Sequence, residues 1–354
     1  MLAMNISSYL NRICLGGVAL VMVLCLSGCK KIISKIEKNE TVVYVSGYTT
    51  GAQGHQVATY WKDDAAVNLT AGVGNALAQS IYVSDGKVYV VGFDECVNGN
   101  TAACKWIDGK LTALTDGSAN AAAYKVLLKD KKVYIAGSFF NANSRNVAAY
   151  WSDEIETTLS DGLTQACNND VMVSGSEIYS AGFIVRNGGG KKVATVWHNG
   201  VPMALENWRK ESVAMAVRTD GASVLVVGYA NNKAGKKVAT LWRDSIPQDL
   251  SDGAADAVAN DIFVSKSKVY VVGTTVNASG HKVATLWKDG EMTSLSDGSS
   301  DAEAFDIFIY NGDVYVAGYV KDTAGNETAV YWLNGKLHQV TDKAGSRAYS
   351  IFVK

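Results

Sequence analysis

Charge of neither sign is in surplus in this sequence: 33 Lys and Arg stand against 34 Asp and Glu in 354 residues, a formal net charge of −1. A protein that grips phosphate backbones or anionic membrane surfaces needs a basic excess, so nucleic acid is not an expected partner. Catalytic signatures are missing as well. There is no His-Glu-x-x-His, no Gly-x-Ser-x-Gly and no paired-Cys zinc spacing. The run Gly188-Gly189-Gly190-Lys191-Lys192 lacks the Gly-x4-Gly-Lys-Ser/Thr spacing of a phosphate loop. Only four histidines occur, His55, His198, His281 and His338, and they are dispersed along the chain. Neither a metal nor an organic cofactor is expected.

The first 28 residues form a separate segment. Arg12 is their only charge, and Ile13 to Leu26 is an apolar run interrupted only by Gly16, Gly17, Cys14 and Cys25. That pattern reads as an export signal, and the run is shorter than the roughly 20 residues a membrane span needs. The tetrad Leu26-Ser27-Gly28-Cys29 resembles the lipobox of bacterial lipoproteins. The resemblance implies cleavage before Cys29, lipid on its thiol and amino group, and a chain anchored in the cell envelope. Residues 29–41 then form the lipidated Cys and a tether, whose segment Lys30–Glu40 spans about 36–40 Å at most, at roughly 3.3–3.6 Å per residue. Lys30, where inner-membrane lipoproteins commonly carry Asp, implies the outer membrane if the organism has one.

Of six cysteines, three remain in the body of the chain: Cys96, Cys104 and Cys167. In an oxidising compartment Cys96 and Cys104, which flank one short loop, are candidates for a hairpin disulfide, and Cys167 reads as a small buried thiol.

From residue 42 to 354 the chain repeats itself. Seven units begin at Val43, Val88, Val133, Ile178, Val224, Val269 and Val314, at a spacing of 45 residues, or 46 after Ile178. Each carries a Gly (Gly47, Gly92, Gly137, Gly182, Gly228, Gly273, Gly318). Each also has an Ala followed three residues later by Trp61, Trp106, Trp151, Trp197, Trp242, Trp287 or Trp332. Short β-branched and aromatic runs separated by turn residues predict strands. In the sixth unit these are Lys268–Gly273 (b), Lys282–Lys288 (c) and Glu291–Leu295 (d), with Ala302–Ile309 as strand a of the next unit. Asp-Gly or Asn-Gly joins c to d in four copies, the chemistry of a tight hairpin. Pro202 and Pro247, the only prolines, share one position of strand d, which places d on the outer edge. Strand a is then innermost, where Ala78, Ala123, Asn168, Ala214, Ala259, Ala304 and Ala348 align.

An all-β, seven-bladed β-propeller of four-stranded antiparallel blades follows. The chain starts at strand b and stops after strand a, so the C-terminal strand is expected to complete the N-terminal blade, leaving neither a capping unit nor an open edge. The repeat resembles Kelch and WD40 propellers in architecture, with strand b especially Kelch-like. It has one Gly where Kelch has two, and places Trp at the end of strand c. The resemblance implies the fold and no particular function.

Sites are grafted on folds, so copies that break the pattern are the candidates. The fourth unit departs most, with Glu206-Asn207-Trp208-Arg209-Lys210-Glu211 in its d–a loop and Arg186, Lys191 and Lys192 in its b–c loop. Phe139, Phe140 and Arg145 of the preceding b–c loop should share that face. An aromatic flanked by basic residues has the composition of a binding hot spot. Near the axis, Lys125, Asp170, Asp261 and Asp306 share one column of strand a and are expected to line a channel. The Ser/Thr-Asp-Gly repeats at Asp116, Asp161, Asp252 and Asp297 read as turns rather than a metal ring. The expected function is a monomeric, non-catalytic envelope lipoprotein offering a rigid propeller face to a protein or glycan. An exported polysaccharide lyase or glycosidase, which needs converging carboxylates, and an outer-membrane assembly scaffold are the alternatives.

Overall fold

The computed structural model describes residues 41–186, 190–206 and 210–354. The export signal and Cys29 lie outside the described residues. Among those described, 28 strands form seven four-stranded antiparallel sheets, one per repeat, with no helix. In the sixth blade, strand a is Ala257–Ser265, b Lys268–Val276, c Lys282–Lys288 and d Glu291–Ser294. The first blade is closed by the end of the chain. Ser346–Val353 supplies its strand a, paired with Val43–Thr50, and Val42 and Lys354 exchange backbone hydrogen bonds of 2.8 and 3.1 Å.

The core lies between blades. Trp287 of the sixth blade packs with Val227, Leu241 and Leu250 of the fifth. All seven repeat tryptophans are at most 1% exposed. Apolar residues on both faces of strand b are therefore explained by a neighbouring sheet on each side. The small residues expected on strand a are all buried, and Pro202 and Pro247 sit on outermost strands opposite Trp197 and Trp242. An edge position needs no inward N–H, which proline lacks.

One device repeats in every blade. Strand a carries one residue more than its partner at the same place, a β-bulge at Gln79, Tyr124, Asn169, Met215, Asn260, Phe305 and Tyr349. The recurring Gly of strand b faces this bulge. A Cβ at Gly273 would lie 1.9 Å from the Val258 carbonyl oxygen, and at Gly92 1.7 Å from that of Leu77. The column is Gly because two backbones approach too closely for any side chain. The bulge also turns its own residue toward one mouth of the channel.

The disulfide expected between Cys96 and Cys104 is corrected by the structure: both thiols are free. Cys104 pairs with Gly92, four residues deeper along the strand than Cys96, whose N–H instead closes the loop onto the Asn100 carbonyl at 2.7 Å. Sequence proximity across a hairpin does not place two cysteines opposite each other. Cys167 is buried as expected, and burial pushes its thiol up to about 11.

Candidate functional site

Strands a and c run away from the face formed by the b–c and d–a loops, and strands b and d run toward it. On this loop face the Ser/Thr-Asp-Gly segments are turns. Each of Asp116, Asp161, Asp252 and Asp297 accepts a hydrogen bond at 2.9–3.0 Å from the N–H two residues on. The following glycines adopt φ between +69° and +74°. In all four of these blades a b–c loop asparagine, Asn98, Asn141, Asn232 or Asn277, donates to the carbonyl of that glycine. No group of three or more His, Cys, Asp or Glu among the described residues could hold a metal ion.

The basic-aromatic patch is only partly assembled. Trp208 and Arg209 lie outside the described residues. Phe139 is half-buried and packs against the core between the second and third blades, because alternation along the strand turns it inward and its neighbour Phe140 outward. Lys192 lies over the Phe183 ring at 4.7 Å, and Lys210 pairs with Glu206 at 3.7 Å. Phe140, Arg145, Arg186 and Lys191 are exposed.

The axial residues do converge, and into a closed network. Lys125 Nζ bridges Asp306 at 2.6 Å and Asp261 at 3.4 Å. Arg218 bridges Asp170 at 2.6 Å and Asp261 at 3.3 Å. Every carboxylate also accepts backbone N–H bonds: Asp170 from Val171 and Val217, Asp261 from Ile307, and Asp306 from Ile351. The Ser350 hydroxyl adds a 2.6 Å bond to Asp306. Three carboxylates and two cations thus span the channel as a diaphragm between its two mouths. Burial disfavours ionisation of Asp261, but Lys125 and Arg218 outweigh it and hold the carboxyl well below the usual range. Burial, opposed by Lys125 and reinforced by Asp261, pushes Asp306 up to about 7.

Above the diaphragm, on the loop face, the bulged residues surround a cavity of about 310 Å³. Gln79, Asn169 and Asn260 supply amides, and Tyr124, Phe305 and Tyr349 supply rings. Asn169 and Asn260 are oriented by donating to the Ala214 and Ala304 carbonyls of the next blade, at 2.8 and 2.7 Å. Phe305 and Tyr349 stack with centroids 4.9 Å apart. Beside them lies a cluster that the sequence reading missed. Arg347 holds Glu327 through two nitrogens and covers the Tyr319 ring at 4.3 Å, while the Tyr319 hydroxyl donates to Glu303 at 2.8 Å. Its signal was available. Glu303 and Arg347 occupy a strand a column that is otherwise Leu77, Ala122, Cys167, Val213 and Val258.

The remaining singled-out residues have structural partners. His198 and His338 stack on Tyr179 and Tyr331, and His198 contacts Glu177. His281 lies 3.7 Å from Asp301.

No family model matches the chain, and no curated protein matches it. Solved structures do. A puromycin-hydrolyzing peptidase of Mycobacterium tuberculosis aligns over 84% of this chain and 51% of its own, at 10% identity and TM-score 0.58. An acylaminoacyl peptidase aligns over 86% and 51%, at 13% identity and TM-score 0.52. TolB from Acinetobacter baumannii aligns over 87% and 83%, at 10% identity and TM-score 0.50. The chain spans about half the length of the peptidases it matches. At such identities the likeness establishes the fold, an all-β seven-bladed propeller.

Proposed function

We propose that the protein is a non-catalytic binding module of the bacterial cell envelope, lipid-anchored through Cys29, that captures a glycan at the loop-face mouth of its channel. One observation carries this reading: a cavity rimmed by fixed amides and aromatic rings over carboxylates already paired with Lys125 and Arg218. Amide and ring edges suit a polyhydroxylated ligand, which offers donors, acceptors and apolar faces together. The floor argues against glycoside cleavage. Burial and the Asp261 charge push Asp306 up to about 7, but its oxygens are taken by Lys125, Ser350 and the Ile351 N–H, which leaves them no free position to exchange a proton with a sugar.

The test is a glycan array probed with the purified protein and with Asn260→Ala and Phe305→Ala variants. Retention of a defined oligosaccharide class by the wild type, reduced in both variants, is expected. Absence of retention, or retention indifferent to both substitutions, contradicts the proposal.

A further inference from the structure

Beneath the diaphragm the channel opens again, toward the a–b turns, into a second cavity of about 300 Å³. It is separated from the glycan mouth by the ion network and does not depend on that reading. Two residues past the charged column, strand a presents Phe352, Tyr82, Leu127, Met172, Arg218, Phe263 and Phe308 in ring order. Four adjacent blades form an aromatic arc, with centroids 5.4 Å apart for Phe263 and Phe308, 4.7 Å for Phe308 and Phe352, and 4.8 Å for Phe352 and Tyr82.

Arg218 is the one charged member of this ring. Its Nη1 donates to Asp170 and to the Val217 carbonyl, and its Nη2 to Asp261, while its Nε donates to no described residue. The diaphragm is asymmetric in exposure. Side chains of Lys125 and Arg218 are 21% and 24% exposed, against 2%, 4% and 6% for Asp170, Asp261 and Asp306. A molecule entering among the aromatic rings therefore meets guanidinium N–H groups before carboxylate oxygens. A carboxylate would find charge-assisted, planar donors there, whereas an ammonium would find carboxylate oxygens already holding Lys125 and Arg218.

We infer that the second cavity binds a small apolar carboxylate, its aryl or alkyl body against Phe263, Phe308, Phe352 and Tyr82 and its carboxylate accepting hydrogen bonds from Arg218. The volume is at the lower end of the roughly 300–1,000 Å³ of ligand pockets, which suits one ring with a short chain. Leu127 and Met172 close the opposite wall.

The experiment titrates 3-phenylpropionate, octanoate and 3-phenylpropylamine into the full-length protein carrying labelled methionine methyls. Both acids are expected to shift the Met172 methyl saturably, and the amine is expected to leave it unmoved. Arg218→Gln should weaken the acids about 10- to 100-fold, the worth of a hydrogen bond to a charged group. Leu127→Trp fills the cavity without touching the ion network, and should abolish the shift while leaving thermal unfolding unchanged. No shift with either acid at millimolar concentration, an amine binding as well as the acids, or acids still binding to Leu127→Trp would each overturn the inference.

Discussion

The seven buried tryptophans are chemically identical and energetically unequal. Trp197 donates its indole N–H to the Leu159 carbonyl of the neighbouring blade at 2.8 Å. Trp287, at the equivalent position, is as deeply buried, and its N–H has no partner. Replacing either with Phe removes the same ring volume, so the packing losses should nearly cancel in the comparison. What differs is the polar part. Trp197→Phe forfeits a hydrogen bond worth about 1 kcal/mol and leaves a buried carbonyl without that donor, whereas Trp287→Phe removes an orphaned donor. Trp197→Phe is therefore expected to cost about 1–3 kcal/mol more than Trp287→Phe. Urea denaturation reads this directly, as a lower midpoint for Trp197→Phe with the slope m unchanged in both. Equal midpoints would refute the reasoning.

Other outcomes follow from the axis, the bulge and the thiols. In the unfolded chain Asp306 titrates near 4, so with a folded value of about 7 its stabilising contribution is complete below that window and is lost as pH rises through 7. Asp261, shifted down, loses its contribution only in strong acid. The urea midpoint should thus be higher at about pH 5.5 than at about pH 8, a difference that Asp306→Asn should shrink; a gap of the same size in the variant would sink this account. Lys125→Met leaves Asp261 and Asp306 without their shared cation and should destabilise by about 3–5 kcal/mol at pH 8, measured in the same assay. Gly273→Ala forces a methyl against the Val258 carbonyl and should destabilise by about 1–3 kcal/mol or more, read as a lower midpoint in the same assay. Reductant should leave the midpoint unchanged, because Cys96 and Cys104 are not bonded; a drop on reduction would show otherwise.

The architecture was legible because packing imposes it seven times. Gly, Ala and Trp recur wherever a blade meets its neighbour, and Pro202 and Pro247 mark the outer strand. The column of Lys125, Asp170, Asp261 and Asp306 was visible for the same reason. Its pairing was not, since Arg218 lies two positions further along strand a and reaches back into the network through a long side chain. The mouth was hidden for another reason. Bulged residues as different as Gln79, Met215 and Phe305 leave no periodic signal, although the Gly facing each one records the bulge. Composition also misled at Phe139, where an aromatic beside a basic loop packs inward.

Binding without turnover is the central claim, and one incubation tests it: the oligosaccharide retained on the array, mixed with the purified protein, followed by titration calorimetry and by mass spectrometry of the recovered sugar. The account predicts saturable heat and a sugar recovered intact. Cleaved or unsaturated product, formed by the wild type and not by Asp306→Asn, would contradict it.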